Sequence, residues 1–358
     1  MTDAAPGSPV EPPLIVERRG RVGHLLLNRP RALNALNGEM VRIMAEALEQ
    51  WHGDDTVATV LLTGAGDRGL CAGGDIVSIY NDARNGGTAS EQFWRDEYRL
   101  NAMIASYPKP FVAVQDGIVL GGGIGISAHA GIRIVTETSK LGMPETGIGF
   151  VPDVGGTWLL ARAPGELGTH LGLTAGSAGP ADAIHLGLSD FFVERAALPA
   201  LFAALETDDA AAAVQRVASM PPAGDLADAR WVDAAYAGDD VGQIVARLAT
   251  SSQPAAQEAH AAIVAKSPTA LAATLASLRR ARLAPDLQTV LASEFRVSLR
   301  FLAEPDLAEG IRAAVIDKDR SPTWRPPSID EVDPAHVETF FAPLGDRELD
   351  VSEQRSTA

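Results

Sequence analysis

Two loops of this chain end in runs of glycine, Gly64-Ala-Gly-Asp-Arg-Gly-Leu-Cys-Ala-Gly-Gly74 and Leu120-Gly-Gly-Gly-Ile-Gly125. Each is expected to follow a strand and open a helix, where backbone N–H groups have no partner and no Cβ shields them. Two such amides can point at one developing negative charge. Taken singly, either turn serves equally well to let a helix cross a strand closely. A third stretch runs Gly142-Met-Pro-Glu-Thr-Gly-Ile-Gly-Phe-Val-Pro-Asp-Val-Gly-Gly156. It sets Glu145 and Asp153 eight residues apart among apolar, Gly and Pro neighbours, each directly after a proline. Carboxylates are costly there unless paired or used, so the two are candidate active-site acids, with an ordinary loop as the alternative. Cys71 has no His near it in sequence to activate it, and it reads as a small buried filler rather than a nucleophile.

Other motifs compete with these. Gly123-Ile-Gly-Ile-Ser-Ala128 fits the loose G-x-G-x-x-A form of a dinucleotide fingerprint, with Glu137 at the end of the next strand. The helix it would open is too short for that role. No G-x-S-x-G elbow, H-E-x-x-H pair or Walker loop occurs, and His129 reads as packed rather than catalytic.

The elements that must hold these residues alternate. Leu14–Glu17 and Gly23–Leu27 read as a hairpin, Val57–Leu62, Phe111–Val114 and Ile132–Thr136 as further strands. Between them, Asn37 caps a helix carrying Met40, Met44, Ala47, Leu48 and Trp51 at helical spacing, another starts near Asp75, and a third covers Ser90–Ser106. This alternation argues for an α/β layer fold. Residues 197–263 are Ala-rich and helical, and further helices are predicted at Thr269–Arg282 and Asp286–Ala303. The chemistry is therefore expected in the first half, with helices packed over it.

With 358 residues the chain can bury a large core. Its 30 basic against 46 acidic side chains leave a charge of −16, which gives no general attraction for nucleic acid or anionic membrane. One cysteine excludes an internal disulfide and multi-cysteine zinc sites. The same cysteine count makes a reducing cytoplasm the expected location, and the N-terminus shows neither a signal-peptide nor a transit-peptide pattern. The longest uncharged apolar stretch, Gly117 to Ile132, is too short and Gly-rich to span a bilayer.

In combination and order, Asn28-Arg-Pro-Arg-Ala-Leu-Asn-Ala-Leu36, Cys71-Ala-Gly-Gly-Asp75 and Leu120-Gly-Gly-Gly123 resemble the crotonase (enoyl-CoA hydratase/isomerase) superfamily. The resemblance implies a spiral core of ββα units with a C-terminal helical region, binding an acyl-CoA thioester whose carbonyl oxygen is held by two backbone amides. By position those belong to Gly74 and Gly122, and the carbonyl of Ala72 is expected near the adenine of CoA. Within the superfamily the details resemble the 3-hydroxyisobutyryl-CoA hydrolases more than the hydratases. A hydratase carries a glutamate where this chain has Gly125, leaving only Glu145 of that pair. Met143-Pro-Glu-Thr146 with Phe150-Val-Pro-Asp-Val-Gly-Gly156 looks like the hydrolase pattern, in which Glu145 and Asp153 are the catalytic pair. Phe93-Trp-Arg-Asp-Glu-Tyr-Arg-Leu-Asn101 aligns Glu97 with a substrate-contacting glutamate.

The expectations are then a crotonase-like core over residues 14–195, a helical region over 196–345 packing on it, and flexible tails at 1–13 and 346–358. The implied activity is hydrolysis of 3-hydroxyisobutyryl-CoA, a step of valine breakdown, with CoA as part of the substrate and no metal or other cofactor. Homo-oligomerisation is compatible with the resemblance. The alternatives are a hydratase or isomerase on another acyl-CoA, a nicotinamide-dependent oxidoreductase, or a silent acyl-CoA-binding protein.

Overall fold

The computed structural model describes residues 11–351. β1 (Leu14–Arg19) and β2 (Val22–Leu27) form the expected antiparallel hairpin, turning at Gly20, whose φ of +57° suits glycine. In chain order follow β3 (Thr59–Gly64), β4 (Phe111–Gln115), β5 (Ile118–Leu120), β6 (Ile132–Val135), β7 (Lys140–Gly142), β8 (Ser177–Ala178) and β9 (Phe191–Phe192). The strand expected from Val57 begins at Thr59, because the Val57 N–H closes a turn onto the Asp54 carbonyl.

Six strands form one sheet in the order β1-β2-β3-β4-β6-β9, parallel from β2 onward. Each of its central strands leads into a second, shorter extended piece before a helix. After β4 this piece is β5, and after β6 it is β7; these pair in parallel, and β8 pairs antiparallel to β7. After β2 and β3 it shrinks to single bridges, Leu36 with Gly74 and Cys71 with Val119. The result is a ββα unit repeated along the chain, coiling so that successive glycine turns stack on one another.

Side chains alternate across the large sheet, as the two-residue strand period requires. Val60, Leu62, Phe111 and Ala113 enter the main core, whereas Leu61, Val112, Val114 and Ile134 pack against the helices Leu198–Leu205 and Ala210–Val217 on the other face. Burial on both faces explains why these strands read as continuous apolar runs. The main cluster extends unbroken from Leu14 to Leu349, so the 195/196 boundary divides no hydrophobic core. The helices Pro268–Leu283 and Leu287–Phe301 close over the first half.

The tails need one correction. Residues 1–10 and 352–358 lie outside the described residues, but 346–351 are packed rather than free. Leu349 is buried, and Arg95 donates to the carbonyls of Arg347 and Glu348. Arg296 pairs with the Glu348 carboxylate at 3.0 Å.

Candidate active site

The two glycine turns meet. Gly73 (φ +105°) and Gly121 (φ +49°) bend the chain in a region that glycine tolerates, just before Gly74 and the first residue of the short helix Gly122–Ser127. A Cβ built on Gly122 would stand 3.3 Å from the Gly74 nitrogen, and one built on Gly73 would stand 3.8 Å from the Gly122 nitrogen. Neither N–H donates to a protein acceptor among the described residues. Two free amides thus lie side by side, with the Phe93 ring over Gly74. Ala72, half-buried beside them, has its own N–H taken by the Leu33 carbonyl.

Two buried carboxylates flank this point, and a third, Asp153, acts electrostatically on both. Glu145 opens a short 3-10 turn, Glu145–Ile148, after β7; its Oε1 lies 2.6 Å from where a Gly121 Cβ would be. Glu97, on the helix Ala89–Ala105, brings its Oε1 to 2.6 Å from the corresponding point on Gly122. Asp153 accepts a 2.6 Å hydrogen bond from the Tyr98 hydroxyl, which also bonds Ser298 at 2.8 Å. Exposure is 2% for Glu97, 7% for Glu145 and 5% for Asp153, so their charges cannot be relieved by bulk water. Burial, then the negative charge of Asp153, hold Glu97 and Glu145 well above the ordinary carboxylate range. Burial, partly offset by the Tyr98 hydroxyl, pushes Asp153 up to about 7. Oε1 of Glu97, Oε2 of Glu145 and both amide atoms of Asn101 have no partner. Unpaired groups of this kind cost about 1–3 kcal/mol each, which makes them unusual unless a ligand completes them.

The loop carrying Asp153 is held from three sides. Val154 has a φ of +54°, strained for a β-branched residue. Its carbonyl is bound by His129 Nε2 at 2.9 Å. Burial lowers His129 to about 4, so it serves as a neutral prop, packed as expected. Glu294 accepts from the Gly155 N–H at 2.7 Å, the Thr157 N–H at 3.0 Å and the Thr157 hydroxyl at 2.5 Å. Burial pushes Glu294 up to about 8, against these three donors.

The sequence reading missed Glu294, Tyr98 and Asn101. Glu294 had a visible signal: it falls on the apolar stripe of the predicted 286–303 helix, between Leu291 and Phe295, where an unpaired carboxylate would not be tolerated. Tyr98 and Asn101 share with Glu97 the buried face of the helix Ala89–Ala105, also at positions the helical period supplies.

The rival motifs acquire other roles. The helix after the dinucleotide-like glycines is only six residues long, and Glu137 accepts from the Arg195 N–H at 2.9 Å. Cys71 is fully buried, its thiol raised by burial to about 12 and directed to the Gly73 carbonyl. A surface cavity of about 280 Å³ beside Gly66, Arg195 and Phe202 contains none of the carboxylates above.

Residues 22–341 match the enoyl-CoA hydratase/isomerase family. The chain belongs to that family. As a member of the enoyl-CoA hydratase/isomerase family it is 36% identical to the mitochondrial 3-hydroxyisobutyryl-CoA hydrolase of Rattus norvegicus, over 94% of this chain and 90% of that protein. It is 34% identical to the corresponding protein of Dictyostelium discoideum, over 92% of each. Among solved structures, a carnitinyl-CoA dehydratase from Mycobacterium thermoresistibile is 49% identical, with a TM-score of 0.93 over 96% of this chain and all (100%) of that one. An enoyl-CoA hydratase from Rhodobacter sphaeroides is 43% identical, with a TM-score of 0.88 over 94% and 99%. These likenesses span the ββα spiral and the helices above it, and the fold is that of the enoyl-CoA hydratase/isomerase family.

Proposed function

We propose that this chain hydrolyses a short, branched 3-hydroxyacyl-CoA, 3-hydroxyisobutyryl-CoA of valine breakdown, to the free acid and CoA. The observation that carries the reading is Glu145, raised in pKa and half unpaired, beside two free amides on the stacked glycine turns. In this reading the amides of Gly74 and Gly122 stabilise the oxygen of the thioester as it gains charge. Glu145 acts either as nucleophile, giving a mixed anhydride that water opens, or as base to an attacking water. Either route consumes one water and releases one thiol. Asp153 orients the water or the substrate hydroxyl and tunes Glu145, Glu97 contacts the polar end of the acyl group, and the Ala72 carbonyl faces the adenine. The chemistry calls for neither a metal nor a redox cofactor.

The dehydratase and hydratase names of the solved relatives give a second reading. Against it stands Gly125: a Cβ there would lie 2.6 Å from the Val154 Cβ and 2.9 Å from Asn101 Nδ2, so the glutamate a hydratase carries at this position has no room unless those neighbours shift. The test is free-thiol release over a panel of acyl-CoAs, with crotonyl-CoA hydration run in parallel. Fast release from 3-hydroxyisobutyryl-CoA is expected, together with loss of ~10²-fold or more in Glu145→Gln, whose amide keeps the shape but cannot attack or accept a proton. Hydration outpacing thiol release, or near-normal turnover by a folded Glu145→Gln protein, would sink the reading.

A further inference from the structure

Asn101 is fully buried on the same helix face as Glu97, one turn later, and neither of its amide atoms has a partner. Its Nδ2 lies 2.9 Å from the point a Gly125 Cβ would occupy, so the amide stands where the glycine turn lacks a side chain. Along that turn the neighbours follow in order: Glu145 at Gly121, Glu97 at Gly122, Asn101 at Gly125. The first two flank the free amides, and the third stands against Gly125, further along the same turn.

A buried amide with a free donor and a free acceptor complements a group that can both accept and donate, and an alkyl group satisfies neither. We infer that Asn101 is the specificity-determining residue for the acyl hydroxyl, binding it through whichever amide atom faces it while the unpaired Oε1 of Glu97 shares the same hydroxyl. The inference rests on the hydrolase reading above. A site built to bond a hydroxyl discriminates strongly against the analogue that lacks it, because the buried groups are then left unpaired.

The experiment compares kcat/KM for thiol release from 3-hydroxyisobutyryl-CoA and isobutyryl-CoA, which differ by that hydroxyl alone. The unmutated protein is expected to favour the hydroxylated ester by ~10²-fold or more. Asn101→Leu, close in volume but unable to hydrogen-bond, should abolish most of that preference while holding the isobutyryl-CoA rate within about threefold. Should Asn101→Leu fail to fold, judged by circular dichroism, Asn101→Ala is read by the same ratio. An equal fall on both esters assigns Asn101 to packing and overturns the inference. An unchanged ratio in a folded variant, or no preference in the unmutated protein, also overturns it while leaving the hydrolase reading standing. No release from either ester by the unmutated protein overturns both.

Discussion

Asp153 is a carboxylate kept near neutrality by its surroundings: burial raises it to about 7, the Tyr98 hydroxyl resists, and its charge in turn raises Glu97 and Glu145. The attacking group must be ionised, so thiol release should climb with pH through a limb that belongs to the coupled carboxylates rather than to one of them. Asp153→Asn removes a negative neighbour, which makes Glu145 easier to ionise. The limb should therefore move to lower pH in a kcat/KM profile taken from about pH 5 to 9, and a limb that stays put would mean the base does not feel Asp153. The same shift has a cost in stability. With a folded value of about 7 against an ordinary 3.8, Asp153 supports the folded state fully only below pH 3.8; that support falls as pH rises from there and is gone once pH has passed about 7. At this scale Glu145 and Asp153 could be read from sequence because carboxylates among apolar residues are conspicuous. Asn101 could not, since an amide within a helix carries no charge to betray its burial.

The loop from Phe150 to Gly156 holds its shape only through what grips it. The left-handed backbone of Val154 is held by His129 on its own carbonyl and by Glu294 on the N–H of the next residue, Gly155. Glu294→Ala would strand the Gly155 and Thr157 N–H groups and release the strained residue. The expected loss is about 3 kcal/mol of stability, seen in urea unfolding, with a fall of ~10-fold or more in kcat and a much smaller change in KM. Glu294→Gln, which retains one acceptor, should recover part of both. A variant as stable and active as the parent would show that the loop holds itself. The sequence disclosed the helices Ala89–Ala105 and Leu287–Phe301 to within two residues at either end, since their apolar spacing and the Asp286 cap are local signals. It did not disclose that they clamp one loop between them, because Tyr98 meets Asp153 across 55 positions of chain, Glu294 meets Thr157 across 137, and Ser298 meets Tyr98 across 200.

Across the whole molecule the order of strands and helices was legible, whereas the second piece of each ββα unit was not. Single bridges at Leu36 and Cys71 carry no two-residue alternation to detect. The C-terminal end was misjudged for a related reason: Asp, Glu and Arg dominate it, and Leu349, with the half-buried Val351 beside the same core, supplies the apolar anchor. Ending the chain at Gly345 removes that anchor, the two carbonyl acceptors of Arg95 and the partner of Arg296. The thermal midpoint should drop by about 5 °C, as burial of one leucine and a few hydrogen bonds would predict. An unchanged midpoint would mean the segment docks without contributing.

The burial of Cys71 matters for a molecule whose proposed product is itself a thiol. Disulfide exchange and oxidation proceed through the thiolate, and a lone cysteine held protonated to about 12 inside the core offers none. Released CoA, its disulfide, or a thiol-directed dye would find nothing on the protein to react with. The enzyme is thereby protected from capture by its own product, and a colorimetric measurement of CoA release reads turnover without a background from the protein.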